Sequence, residues 1–194
     1  MQQPSAPDCA SASPLSGGEL ASILLGLAGC SYLTEPLDQL THALQTAAQA
    51  IAAGADDELV LAAALHDVGK AAPVRQAYPG LPHELAGAAF ARQRLTERIG
   101  WLIEQHVPAK RYLVATDPAY RARLSRTSQF ALTRQGGPMS EEDTARFREH
   151  PWAADAVRLR RWDDQAKDPH CPGMPVDDLL ALFARWATHD PSRR

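Results

Sequence analysis

The 194-residue chain has little cysteine: Cys9, Cys30 and Cys171 are all it carries. They form neither a pairable framework nor a CxxC motif, which excludes a disulfide scaffold and a cysteine metal knuckle. Charge of one sign is also scarce. Twenty Lys and Arg stand against 23 Asp and Glu, a net charge of −3 with a pI of about 6.1, and that balance argues against a broad nucleic-acid-binding surface. No apolar run approaches the roughly 20 residues of a membrane helix, and the first residues lack the positively charged start of a signal peptide. The expectation is a cytoplasmic protein with no membrane and no nucleic-acid partner. Strand-type alternation of Val, Ile and Thr is missing too, so the fold class expected is all-α.

Apolar residues make up 45% of the chain, enough for a core, and the length suits one compact domain acting as a monomer or homodimer. Residues 1–18, MQQPSAPDCASASPLSGG, are rich in Pro, Ser, Ala and Gly and read as a disordered tail; 19–190 read as a single helical bundle. A leucine-type stripe at positions 37, 40, 44, 48 and 51 predicts a helix from Glu35 to Ile51. The next, Asp57 to Asp67, is apolar all round in LVLAAAL, the mark of a helix buried in the core, with Gly69 as its stop. AAPVRQAYPGLP reads as a loop. Further helices are expected at His83–Glu97, Arg98–Val107, 117–135, from Ser140, from Pro151 through Asp163, and over Val176–Thr188.

The pair His66-Asp67 closes the most apolar helix and so points a polar pair at the core. An uncompensated buried carboxylate costs several kcal/mol, and a metal held by imidazole and carboxylate supplies the compensation. The plainer reading is a helix-end His and an Asp bonded to nearby backbone. His83 starts a helix and His106 ends one, positions that suit caps or surface residues. His42 falls off the leucine stripe, on a face with Glu35, Gln39 and Thr46 that reads as solvated. Asp163 continues the buried stripe of Trp152, Ala156 and Leu159; it calls for a metal, or for a salt bridge to Arg160. Lys70, Lys110, Arg111 and Arg160 are cations near these residues that suit an anionic substrate such as a phosphate or phosphonate, or ordinary surface charge. Tyr32 and Glu35 read as a helix-start pair, and His150, His170 and His189 as surface.

The order His42, His66-Asp67, Asp163 on helices resembles the HD-domain superfamily of metal-dependent enzymes, and HDVGK at 66–70 fits it. That spacing alone leaves phosphohydrolase and oxygenase equally open. SYLTEPLDQLTHALQTA, ELVLAAALHDVGK, LIEQHVPAKRYLV, RQGGPM and LRRWDDQAK go further. Together they resemble the PhnZ-type mixed-valent diiron oxygenases of phosphonate catabolism, over roughly residues 30–168. The resemblance implies two iron ions, Fe(II)/Fe(III), held by His42, His66, Asp67, His83, His106 and Asp163, with Asp67 bridging. It makes O₂ the co-substrate, places His66, Asp67 and Lys110 in the catalytic machinery, and has Lys110, Ser128 and Arg160 hold the phosphonate. Tyr32 matches a tyrosine that can occupy the iron site when substrate is absent, and Glu35 a glutamate that recognises the substrate's amine. Lys70 stands where the family has a substrate-contacting histidine.

The implied reaction is oxidative cleavage of the C–P bond of a 1-hydroxyphosphonate. On Glu35, the substrate expected is (R)-2-amino-1-hydroxyethylphosphonate, giving glycine and phosphate. The alternatives are a related oxygenase for the trimethylammonio or hydroxymethyl compound, an HD-type phosphohydrolase, and a binding module that has lost its metals.

Overall fold

The computed structural model describes residues 13–32 and 36–189, with the side chains of Thr127 and His189 outside the description. Eleven α-helices lie within these residues: α1 (Gly17–Leu25), α2 (Gln39–Ala52), α3 (Asp57–Leu65), α4 (Ala72–Ala77), α5 (His83–Arg94), α6 (Glu97–Thr116), α7 (Pro118–Arg123), α8 (Arg126–Arg134), α9 (Glu141–Glu149), α10 (Ala153–Gln165) and α11 (Val176–His189). No strand is present among them beyond an isolated antiparallel bridge between Ser31 and Asp38. The all-α expectation holds. No described helix is long and apolar enough to cross a membrane.

α3 is the axis of the fold. Every residue from Leu59 to Leu65 is buried, and α2, α6, α10 and α11 pack around it. Its four leucine and valine side chains contribute about 1.5–3 kcal/mol each by leaving water. Asp56 caps it, accepting from the Leu59 amide. Arg98, at the start of α6, pairs with Asp56, Glu58 and Asp155 and ties α3, α6 and α10 together. The helix ends in the polar pair His66-Asp67, one residue before a 3₁₀ turn over Val68–Lys70.

Gly69 in that turn does more than stop a helix. A Cβ added there would lie 1.9 Å from the His83 carbonyl oxygen and 2.9 Å from the Gly87 amide nitrogen. Only hydrogen fits, so the turn lies flat against the start of α5 and brings Asp67 beside His83.

Several boundaries differ from the sequence reading. The stretch read as tail ends before residue 18: Leu15 is buried and donates to the Arg94 carbonyl, and Ser16 and Glu19 form a capping box that starts α1. α2 starts at Gln39, because the Asp38 carboxylate accepts from the Thr41 amide. The loop expected at 71–82 holds α4, with Pro73 in its first turn. α6 runs through Pro108 to Thr116, since buried Val107, Ala109, Lys110 and Leu113 hold the helix on both sides of the proline. One helix expected over 117–135 is two, because the Ser125 hydroxyl accepts from the Ser128 amide and restarts it. α10 begins at Ala153, two residues after Pro151.

Candidate metal centre

Four helices and the turn after α3 deliver six side chains of the types that ligate metals to one place. His42 comes from the middle of α2 and His66-Asp67 from the end of α3. His83 is the first residue of α5, His106 lies inside α6, and Asp163 is near the end of α10. His42, His66, Asp67, His106 and Asp163 are buried, whereas the His83 side chain is 27% exposed. The face of α2 that reads as solvated is thus its most buried one, with His42 and Thr46 at 0% exposure and Ile51 of the leucine stripe at 45%. Position 106 is no helix end, because α6 continues for ten more residues.

The imidazoles are fixed by what lies behind them. Nδ1 of His42 faces the Ala166 carbonyl oxygen at 2.7 Å, that of His66 faces Ala63 at 2.8 Å, and that of His106 faces Ile103 at 2.7 Å. Nδ1 of His83 lies 3.0 Å from the Glu84 carboxylate. Carbonyl and carboxylate oxygens only accept, so each Nδ1 carries the hydrogen and each neutral ring presents a bare lone pair at Nε2. Those lone pairs converge. Nε2 of His42 lies 3.1 Å from Nε2 of His66, and Nε2 of His83 lies 3.3 Å from Nε2 of His106.

Carboxylates close the arrangement. Asp67 Oδ1 is 3.1 Å from His83 Nε2 and 3.9 Å from His106 Nε2, and its Oδ2 is 3.6 Å from His66 Nε2. Asp163 Oδ1 lies 3.3 Å from His42 Nε2 and 3.9 Å from His66 Nε2. Two ligand groups result, His42/His66/Asp67 and Asp67/His83/His106, each with its donor atoms within 4.8 Å of one another. Asp67 belongs to both.

Electrostatics match this donor set. Burial pulls the His66 imidazole below its ordinary pKa, and burial with the neighbouring His83 and His66 pulls His106 well below. Burial pushes the Asp67 and Asp163 carboxyls upward, but the charges of Lys70 and Arg160, respectively, more than offset it and hold both well below the carboxylate range. Only a cation can sit among facing acceptors. A proton satisfies one contact at a time; a metal ion satisfies a whole group. Two nitrogens about 2.1 Å from a common ion and at right angles are about 3 Å apart, close to the separations found. The residues present fit a pair of metal ions.

The plainer readings stand in part. Arg160 does pair with Asp163, through Oδ2, while Oδ1 is left to the histidines. His66 does bond to backbone at its helix end. Asp67 instead meets Lys70 Nζ, at 2.5 Å.

The remaining sequence-derived residues are placed as follows. Buried Tyr32 stacks on His42 with ring centroids 3.9 Å apart, and its hydroxyl points to Asp163 Oδ1 at 3.4 Å. Burial raises its phenol well above the usual pKa, and Asp163 and Asp67 add to this. Lys110, on α6 one turn beyond His106, is buried and makes no ion pair among the described residues. Burial and the Arg160 charge draw its ammonium down to about 8. Ser128 is buried, its hydroxyl 3.2 Å from that of Ser125. Arg111 donates to the Gly137 carbonyl. Glu35 lies outside the described residues. Of the histidines read as surface, His170 is exposed; His150 stacks on Trp101 with centroids 3.8 Å apart, a partner the sequence spacing does not reveal.

Three residues escaped the sequence reading. Asp164 receives Arg160 and the Tyr120 hydroxyl. Lys167 stands over the Tyr32 ring, its Nζ 6.0 Å from the centroid. Gln45 bonds to both the amide and the carbonyl of Asp168 and to the carbonyl of Cys171, holding the segment that supplies the Ala166 carbonyl. The only signal available for Asp164 was its i+4 spacing from Arg160; the other two depend on a loop return.

Residues 40–142 match the HD-domain family. The chain is 38% identical over 157 residues to hydroxymethylphosphonate dioxygenase of Gimesia maris, covering 78% of this chain and 77% of that one. It is 36% identical over 141 residues to the glycine-betaine-forming [1-hydroxy-2-(trimethylamino)ethyl]phosphonate dioxygenase of Leisingera caerulea, covering 70% and 72%. With its two His/Asp groups set on the expected helices, the chain belongs to the HD-domain family and, within it, to the oxygenases of the PhnZ type.

Proposed function

We propose that this protein uses O₂ to cleave the C–P bond of a 1-hydroxyphosphonate, with two iron ions held by His42, His66, Asp67, His83, His106 and Asp163. The observation that carries this is the convergence of four Nε2 lone pairs and two carboxylates, with Asp67 common to both groups. The names of the two relatives support the substrate class. Bound there, the irons supply Lewis acidity and O₂ activation.

A C–P bond resists hydrolysis because carbon is a poor leaving group, so oxidation at C1 is the sensible route. The balance is R–CH(OH)–PO₃H₂ + O₂ → R–COOH + H₃PO₄: C1 is oxidised from alcohol to acid, the C–P bond breaks, and both oxygen atoms end in products. In this reading Lys110, Ser128 and Arg160 neutralise and orient the phosphonate. Arg160 is fixed for that by Asp163, Asp164 and Tyr120, and Lys110 has no ion pair to break among the described residues. Tyr32 stacks on His42 and covers that side of the pocket.

Two features bear on the group R. Glu35 suits the ammonium of (R)-2-amino-1-hydroxyethylphosphonate. Lys70 and Lys167, both over the Tyr32 ring, suit an R with no positive charge, as in hydroxymethylphosphonate.

The test is phosphate release from 1-hydroxyphosphonates by anaerobically purified, iron-loaded protein. Release should begin only when oxygen is admitted. Equal release under nitrogen would place the protein among the hydrolases, in which the same donor set activates water.

A further inference from the structure

The buried guanidinium of Arg160 has five N–H donors in one plane. Asp164 takes one edge with both of its oxygens: Nε reaches Oδ2 at 3.1 Å, and Nη2 reaches Oδ1. Nε also faces the Tyr120 hydroxyl oxygen at 3.2 Å, and Nη1 donates to Asp163 Oδ2. Among the described residues, one hydrogen on Nη1 and one on Nη2 are left without a partner. Planarity fixes where the second points. Asp164 sits on the Nε side of Nη2, so the spare hydrogen lies on the opposite edge, beside Nη1. Lys110 is close by: burial and the Arg160 charge draw its ammonium down to about 8.

A guanidinium beside Asp163 has a competing use for those two hydrogens. Turned end-on, it would close both Nη atoms on the Asp163 carboxylate as a bidentate pair. That would engage Oδ1, the oxygen directed to His42 and His66, and leave no N–H for a phosphonate. What opposes the turn is the grip of Asp164 on the Nε edge. Asp163 and Asp164 follow Arg160 by three and four residues on α10, so both can reach it at once. Asp164 is itself anchored from a second helix, because the Tyr120 hydroxyl of α7 donates to its Oδ2 at 2.5 Å. Burial raises the Tyr120 phenol above its usual pKa, so it keeps the hydrogen it donates.

We propose that Asp164, anchored by Tyr120, is a positioning residue that holds Arg160 by its Nε edge, so that one N–H on each Nη stays free for the phosphonate oxygens; this rests on the reading above in which Arg160 holds the substrate. Neither residue touches the substrate in this account. Each acts through Arg160.

The experiment measures anaerobic binding of hydroxymethylphosphonate to the iron-loaded full chain by calorimetry, for wild type, Tyr120→Phe and Asp164→Asn. KM and kcat for O₂-dependent phosphate release are measured beside it. Tyr120→Phe keeps every charge and the packing of the ring. Its Kd and KM should rise about threefold, with kcat and iron content little changed. Asp164→Asn should raise Kd and KM about tenfold. The sign is diagnostic. If Asp164 were only a neighbouring negative charge, removing it would tighten the binding of an anion, and freeing Lys167, 3.7 Å away, would add to that pull. Melting curves identify a variant that fails to fold, and the other then decides. Tighter binding by Asp164→Asn, or a Kd unmoved in a folded variant, overturns the positioning role alone. A wild type that binds the compound but releases no phosphate with O₂ overturns the reading of the reaction, while the Kd series still decides the positioning role. A wild type that does not bind it overturns both.

Discussion

The Nε2 atoms of His42 and His66 face each other at 3.1 Å, each with its Nδ1 hydrogen already directed to a main-chain carbonyl oxygen. While both rings are neutral, no hydrogen lies between them. Two acceptors this close, buried away from water, repel unless a cation joins them. His83 and His106 also face each other through Nε2, at 3.3 Å, with the His83 Nδ1 directed to the Glu84 carboxylate and its side chain 27% exposed. On the proposed reading, packing holds an arrangement that a bound cation makes favourable, and metal binding is coupled to stability.

Chelation should therefore lower the melting temperature, and readdition of Fe(II) should restore it. With free metal about 1,000-fold above Kd the linkage is worth about 4 kcal/mol, or roughly 10 °C for a chain of this length. Differential scanning calorimetry with and without chelator measures it.

Gly69→Ala places a methyl group where the His83 carbonyl oxygen already is. The turn and α5 must separate, at a cost of roughly 3 kcal/mol, and Asp67 moves away from His83. Urea unfolding should show the loss of stability, and metal analysis a loss centred on the His83/His106 group.

Lys110 carries its charge only up to about pH 8, whereas its unfolded value is near 10.5. Its folded pKa is depressed, so between those values the unfolded chain binds the extra proton, and this residue's contribution makes stability rise with pH. Its attraction for a phosphonate runs the other way, full below pH 8 and fading above. Anaerobic binding of hydroxymethylphosphonate should weaken as pH rises through 8, and Lys110→Arg should abolish that step because guanidinium keeps its charge.

Gln45→Ala removes three hydrogen bonds that hold the segment after α10. It should destabilise the protein by about 1–3 kcal/mol and loosen the Ala166 carbonyl that orients His42. Urea unfolding reads the first effect. Weaker metal retention in the His42/His66 group, with His83/His106 little changed, reads the second.

Much of this site was legible in the sequence, and for identifiable reasons. LVLAAAL marks α3 as buried, and His66-Asp67 at its end is conspicuous because a polar pair there needs compensation. Asp163 shows itself by falling on the apolar stripe of α10. His42 does not: amphipathic reasoning assigns polar faces to solvent, and α2 turns that face to the buried His/Asp cluster instead. Only resemblance to a family identified it. His106 was misplaced because Pro108 reads as a helix stop, an intrinsic preference that packing overrode. Lys167 and Gln45 depend on how the chain returns after α10, which no periodicity encodes.

The central claim, two irons sharing Asp67, is tested most directly by iron content and ⁵⁷Fe Mössbauer spectra of anaerobically purified wild type and Asp67→Ala. The wild type should hold two irons per chain in distinct environments, and Asp67→Ala should lose both, because each group surrenders the ligand they share. An Asp67→Ala protein that keeps two irons and full activity would contradict the account.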